Sequence, residues 1–429
     1  MPQKEKELYT GIEIGTSSIK VAICSVADDH SIELLGWGEA PSGKVIKGDV
    51  KDSTFVSDQI DRAIKKATQQ AGVPINKTFT ILAFGGNLAT VVPTSGRVDF
   101  DGMSIPITED HIVAANREAN KFRPKDTTLK VHRNYTRYYT IKDDKALLNP
   151  IGKVSTFIEA HNHAVLFKPR LLDAYAMNVT NVTNCSINTV AYTPMALAYG
   201  IFCHSQGNLS KNNPQASEPP ANGYLLIDIG AGVTSYALYT GKDFFNVGQI
   251  TVGCDHAAND LAIAFSLSID STRKILRDFA NLQCSVIPVG DGRTRLIAVD
   301  QGQKTPKNIA ASTVEQIVQV RFKELFNIID KQIEDDDAWQ WATGGIMISG
   351  GGAMIPKIAD LASNVFRKPV TIAHAAKVSG DETIVNSPAN LLPFGLVRFG
   401  KQDNDIERLN NPQNTTGRLK EIFSALINW

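Results

Sequence analysis

The alternation of apolar and polar positions divides the chain into recurring units. In "LYTGIEIGTSSIKVAICSV" a β-branched apolar run is broken at Gly15 and Thr16 and then resumes, which predicts two strands joined by a turn of small residues. Helical spacing follows in "STFVSDQIDRAIKKATQQAG", with Ser53 as the expected N-cap and Gly72 as the stop. After the strand "TFTILAFGG", residues 88–163 follow no strand–helix unit found elsewhere and carry their own helix, "TEDHIVAANREANKF"; they read as an inserted subdomain. Residues 205–222, "SQGNLSKNNPQASEPPAN", are rich in Asn, Ser and Pro and predict a solvated loop linking two halves. Immediately beyond it, "GYLLIDIGAGVTSYALYTGKDFFNVGQI" repeats the opening design of apolar strand, acid-Ile-Gly, small turn and second strand. The echo predicts two similar halves.

The cores of those halves are expected at 1–87 with 164–204 and at 223–260 with 327–385, residues 261–326 forming a mainly helical small subdomain of the second. Within the second half, "TGGIMISGGGAMIPKIADLASNVF" predicts a strand, a triple-glycine turn and an amphipathic helix. "NSPANLLPFGLVRFG" places Ser387 and Pro388 at N-cap and N1, and residues 386–400 are expected to pack back on the first half. Residues 401–416, "KQDNDIERLNNPQNTT", are polar and predict a disordered tether. In 417–429 the apolar pattern returns: at about 100° per residue, Leu419, Ile422, Phe423, Leu426, Ile427 and Trp429 share one half of a helical wheel. So short a helix is below the ~12–15 residues at which an isolated helix becomes marginal in water. Burying its face at roughly 1.5–3 kcal/mol per large side chain predicts weak, reversible binding in the plane of a membrane interface. A groove on a protein would suit the same wheel. Many linked copies would make such an anchor strong.

Composition narrows the partners. With 429 residues the chain exceeds one core, and its 44 basic and 44 acidic residues leave a formal net charge of zero without a basic face, so nucleic acid is not an expected partner. Five scattered cysteines with no CxxC spacing predict neither a disulfide framework nor a zinc site, and fit a reducing cytoplasm. No signal-like segment and no apolar run of about 18 residues occurs, so the expectation is a protein neither secreted nor membrane-spanning.

The glycine turns carry the candidate chemistry. Small residues let backbone N–H groups approach an anion. Gly15, Thr16 and Ser17 from the first half, with Gly230, Ala231, Gly232, Val233 and Thr234 from the second, are candidates to grip a polyphosphate from two sides. Glu13 and Asp228, one at the start of each turn, are candidates for a hydrated Mg²⁺. Gly350, Gly351 and Gly352, with Met354, would let an adenosine lie against bare backbone. His161 and His163, two apart on a strand, have no third ligand placed beside them, and Asp335–Asp337 reads as a solvated helix end.

In this order the three turns resemble the phosphate and adenosine motifs of the actin/Hsp70/sugar-kinase superfamily. Within it the chain is similar to the FtsA family of bacterial cell-division proteins, through "SGKVIKGDVKD", "LNPIGKVSTFIEAHNHAV", "VGCDHAANDLAIAF" and "NSPANLLPFGLVRFG". The resemblance implies an α/β, actin-like (ribonuclease H-like) two-lobed fold with duplicated sheets and the FtsA-type subdomain inserted in the first lobe. It also implies binding of ATP with Mg²⁺, filaments of the chain itself, and a peripheral place on the cytoplasmic face of the inner membrane at the division site. There it would tie FtsZ to the lipid and recruit later cell-division proteins.

Departures from the pattern fall on the chemistry. Glu13 stands where Asp is usual; Ala231, Val233 and Ser235 replace a glycine, a threonine and an aspartate of the second turn; and Thr193 occupies the position of the Glu before Pro in Hsp70-like ATPases. Arg273 and Arg277 lie where a ribose-contacting acid/Lys pair is common. Slow or absent hydrolysis is therefore expected. Two other readings remain open: a PilM-like adaptor of type IV pilus assembly, and a sugar or carboxylate kinase, which would need a catalytic base the sequence does not offer.

Overall fold

The computed structural model describes residues 7–183, 186–203, 222–240, 244–279, 296–299 and 307–410. The opening alternation forms β1 (Glu7–Ile14), β2 (Ser18–Val26) and β3 (Ile32–Pro41), an antiparallel meander. On the other side of β1 lie β6 (Phe79–Phe84) and then β12 (Thr189–Tyr192), both parallel, and β20 (Val378–Ser379) closes the edge beside β3. The echo in the sequence is an echo of topology. β13 (Tyr224–Ile229), β14 (Thr234–Tyr239) and β15 (Phe244–Ile250) form a second meander, and β18 (Ile346–Ser349) and β19 (Val370–Ile372) continue that sheet in parallel. β4 (Val45–Ile46) and β5 (Asp49–Val50) make a small hairpin after β3.

Between β6 and α3 (Pro169–Thr183) the chain builds a separate antiparallel sheet, with β11 (Phe157–Phe167) between β7 (Ala89–Asp99) and β9 (Lys130–Thr140). β8 (Ile105–Pro106) pairs with β10 (Val154–Ser155) beside it, and α2 (Glu109–Ala119) covers a small core of Phe100, Ile107, Ile141 and Ile158. In β9 a register shift opposite His161 and Asn162 leaves Arg137 without a ladder partner, and a bulge of this kind re-aims its side chain. The guanidinium donates to the Phe245 carbonyl (2.8 Å) and pairs with Asp336 (3.3 Å), so the insert is stitched to the second lobe. Asp336 is thus a structural contact, which also accepts from Asn246 Nδ2 at 2.6 Å, and the acidic run is not merely a solvated helix end.

Helical periodicity produced α1 (Ser53–Ala71), which packs on β2, β3 and α3. Its cap differs from the expectation: Asp52 accepts from the Phe55 N–H, while the Ser53 hydroxyl donates to Asn178 of α3 at 2.6 Å. In the second lobe α5 (Cys254–Phe265), α6 (Ile269–Phe279), the hairpin β16 (Leu296–Val299)–β17 (Lys307–Ala310) and α8 (Ile358–Phe366) gather around α7 (Ala311–Asp335). Val314, Val318, Phe322, Leu325, Phe326, Ile329 and Ile333 of α7 recur at helical spacing and are all buried.

After the short α9 (Glu382–Val385), a 3₁₀ turn at Pro388–Asn390 with Ser387 before it leads into α10 (Leu391–Asn410), which packs on α4 (Thr193–Ile201), β1, β2 and β6. The two helices meet backbone to backbone: a methyl on Gly395 would lie 2.0 Å from the Ala196 carbonyl oxygen, and one on Gly200 2.4 Å from that of Leu391. Arg398 is buried with no carboxylate partner among its contacts. It donates instead to the carbonyls of His30 (2.9 Å), Tyr199 (2.9 Å), Gly200, Lys377 and Ala376.

The disordered tether expected over 401–416 is corrected in its first part: residues 401–410 continue α10. They lack an apolar stripe because polar partners hold them. Buried Lys401 pairs with Glu7 (3.3 Å) and Asp405 (2.7 Å), Asp403 with Arg133 (2.8 Å) and the Thr189 hydroxyl (3.0 Å), and Asn404 reaches the Tyr9 hydroxyl (3.0 Å). The remainder of that segment, the apolar ending from Leu419 to Trp429, and the linker loop up to residue 221 lie outside the described residues. Because backbone blocks the added methyl, Gly395→Ala is expected to lower stability by about 2–3 kcal/mol, whereas Gly72→Ala, where a methyl would meet nothing within 4 Å, costs only left-handed strain at the end of α1. Paired thermal unfolding curves check this; equal melting temperatures would contradict the packing account.

Candidate functional site

The β1–β2 and β13–β14 turns are built alike. Gly15 N–H donates to the Ser18 carbonyl at 3.0 Å and Gly230 N–H to that of Val233 at 3.0 Å, and a methyl on either glycine would press on the accepting oxygen. The turns then meet: a methyl on Gly232 would lie 2.7 Å from Thr16 Oγ1. Around this junction lies a cavity of about 590 Å³, within the size of small-molecule sites.

Most of the predicted residues converge on it. Glu13, Gly15, Thr16 and Ser17 line it from the first lobe, and Asp228, Gly230, Ala231, Gly232 and Val233 from the second. Gly350, Gly351 and Met354 form another wall, near Arg273, Leu276 and Arg277 of α6. Two expectations are corrected. Thr234 begins β14 and points away from the cavity, its hydroxyl donating to the Val252 carbonyl at 2.8 Å; strand alternation gives the cavity Ser235 instead. Gly352 faces the protein, where a methyl would strike Ile229 Cγ2 at 2.4 Å, and it does not line the cavity. Gly351 is the reverse: nothing stands within 4 Å of its absent methyl, so no packing contact demands a glycine there and the open space is on the cavity side.

The two acids are held without full partners. The Glu13 side chain is 20% exposed, its Oε2 is buried and accepts no hydrogen bond, and Lys20 Nζ stands 3.9 Å away. Burial moves its carboxyl from the ordinary 4.5 up to about 7, with Lys20 opposing the rise and Asp228 and Glu39 adding to it. Asp228 accepts from the Ser349 hydroxyl at 2.9 Å, and burial raises it too. Two elevated, facing carboxylates with one unpartnered oxygen suit a hard cation that keeps waters and takes ligands from a phosphate, as Mg²⁺ does. Among the described residues no group of three His, Cys, Asp or Glu forms a cage of its own, and His161 stacks on Tyr138.

Several lining residues escaped the sequence reading. Lys20 pairs across the hairpin with Glu13 in register, which strand alternation could have revealed. The Gly85–Gly86 pair was visible in "AFGG" but unassigned. Gln249 comes from a distant segment and had no local signal, nor had Ser349, which is buried outside the lining and holds Asp228. Thr193 lines the cavity, with its hydroxyl proton committed to the Phe84 carbonyl at 2.9 Å.

The buried acid gives a pH signature. A carboxyl whose folded value is raised holds its proton after the unfolded chain has released it, so stability falls as pH climbs from about 4.5 to about 7 and stays reduced above. Glu13→Gln removes that loss. The ligand-free variant is expected to be more stable than wild type at about pH 8, by up to roughly 3 kcal/mol, and to lose this advantage near pH 5. Denaturant titrations at the two pH values check it; a variant less stable than wild type at the higher pH would contradict it.

Comparison with known proteins bears on the chain as a whole. The family model "Cell division protein FtsA" matches residues 225–395. Proteins of that name from Pseudomonas aeruginosa (23% identical; 92% of this chain, 90% of theirs), Escherichia coli K12 (23%; 99% and 98%) and Borreliella burgdorferi (22%; 99% and 98%) are similar along nearly their whole length. Among solved structures, a chain of the PilM–PilN type IV pilus biogenesis complex has the same fold (TM-score 0.62, 16% identical; 93% of this chain, 99% of that one), as does MreB5 of Spiroplasma citri bound to ADP (0.52, 14%; 94% and 99%). The chain is thus similar to the FtsA cell-division proteins along nearly the whole of its length and has the actin-like α/β fold.

Proposed function

We propose that the chain is a cell-division adaptor: an actin-like body that binds ATP with Mg²⁺ in its cleft, assembles into filaments, and ties the FtsZ ring to the cytoplasmic membrane while recruiting later division proteins. The observation that carries this reading is the similarity to proteins named for cell division over 92–99% of the chain, together with the facing glycine turns at the centre of this one. In this reading Gly15 and Gly230 shape the two turns, and the backbone N–H groups that follow them, Thr16–Ser17 and Ala231–Val233, receive the phosphates, as anions favour such turns. Open space at Gly351 and the apolar stems of Met354 and Leu276 receive the base and ribose. Glu13 and Asp228 orient a hydrated Mg²⁺, which supplies charge neutralisation. MreB5 of Spiroplasma citri has been solved with ADP and with AMPPNP, which supports a nucleotide as occupant.

Hydrolysis is slow in this account. The Thr193 hydroxyl is engaged with the Phe84 carbonyl and has no basic group to draw a proton from water. A phosphate-release assay is expected to read far below the ~10 s⁻¹ median of enzymes; turnover at that level would sink the scaffold account. Anchoring is assigned to Leu419, Ile422, Phe423, Leu426, Ile427 and Trp429. Likeness to the pilus-complex chain favours a pilus adaptor only at the level of fold. Liposome co-sedimentation separates the readings: the intact chain should pellet with lipid and carry FtsZ down, and a chain ending at Thr416 should do neither. Equal pelleting of both would exclude the anchor, and failure of the intact chain to bring FtsZ down would exclude the division partner.

A further inference from the structure

One wall of the cavity is closed by a side chain that spans the two lobes. Gln249, on the edge strand β15 of the second sheet, accepts the Gly86 N–H of the first lobe on Oε1 at 2.6 Å and donates from Nε2 to Ser235 Oγ at 2.9 Å. Backbone crowds against it, since a methyl on Gly85 would lie 2.6 Å from Nε2. Gly85, Gly86, Ser235 and Gln249 all face the cavity. This wall therefore offers a main-chain N–H, a hydroxyl and an amide, whereas the one formed by Leu276, Met354 and Ile355 offers aliphatic stems. The first suits an oxyanion and the second a base.

We propose that Gln249 is the specificity residue by which the cleft distinguishes a nucleoside triphosphate from a diphosphate. This rests on the nucleotide-binding reading above. In the empty cleft the carboxamide oxygen occupies the place of a terminal phosphate oxygen on the Gly86 N–H. When that phosphate arrives it takes the N–H, and the amide turns its own N–H toward the anion. A carboxamide does both because it carries an acceptor and two donors; a carboxylate can do only the first and a leucine neither. Since Gly86 and Gln249 belong to different lobes, the exchange also replaces a direct hydrogen bond between the lobes with one through the ligand.

The test is calorimetric titration of the full chain with ADP and with AMPPNP in the presence of Mg²⁺, for wild type, Gln249→Glu and Gln249→Leu. Gln249→Glu keeps the acceptor for Gly86, so its ligand-free melting temperature should match wild type. Its AMPPNP affinity should fall by about tenfold or more, the worth of a hydrogen bond to a charged group, while ADP affinity changes little. Gln249→Leu should also lose preference for AMPPNP, which covers the case of a poorly folded Glu variant. An AMPPNP-to-ADP affinity ratio unchanged in both variants would overturn the role of Gln249. Wild type binding neither nucleotide would overturn the nucleotide reading itself, a result distinct from an unchanged ratio.

Discussion

The cleft exists because the turns of the two sheets approach so closely that glycine is needed on one side of the contact. Thr16 and Gly232 bring the turns of the two sheets together, and Gly253 tucks under Gly230 and Ala231, where a methyl would lie 2.5 Å from either carbonyl oxygen. That contact fixes the start of α5, whose Cys254 and Asp255 N–H groups bond to the same two carbonyls. Asp255 then takes Arg273 of α6 in a two-pronged pair at 2.8 Å, so the far wall of the cavity is positioned from the turn outward. The raised acids follow from the same geometry: Glu13 and Asp228 lie near the ends of the strands that carry the touching turns, where the surrounding protein leaves them little water.

Duplication explains why so much converges on one place. Each lobe contributes a meander followed by two parallel strands, so equivalent turns project from equivalent ends of the two sheets. The inserted sheet breaks the symmetry. It belongs by sequence to the first lobe, yet its Arg137 is fixed to β15 and the end of α7 in the second. β15 carries Phe245 at that contact and Gln249 at the cavity, four residues apart on one short strand. A displacement at the cavity thus has a path to the insert through one short strand and the Arg137 hydrogen bond.

The duplicated strands, the turns and the insert were legible because strand alternation and small-residue turns are local patterns. What was not legible depended on partners far along the chain. Residues 401–410 read as a tether because a polar run with no stripe has no intrinsic reason to order; Glu7, Arg133 and Thr189 supply it from the sheet and the insert. Thr234 was misassigned because the motif gives a residue type while the pleat decides which face it serves. Gln249 left no local trace, since its meaning is set by Gly86 on the other lobe.

Arg398 and Arg137 are both buried guanidinium groups at seams of the molecule, but they rest on different chemistry. Arg398 is satisfied by main-chain carbonyls from three segments, which carry no net charge for dissolved ions to screen and no proton to gain. Arg137 leans in part on Asp336, whose side chain is 40% exposed. Ionic strength therefore acts unevenly on the fold. At Arg398 the last helix is held by contacts that salt leaves alone, while at Arg137 part of the join weakens as salt rises, giving the molecule one fastening indifferent to its surroundings and one that they can tune.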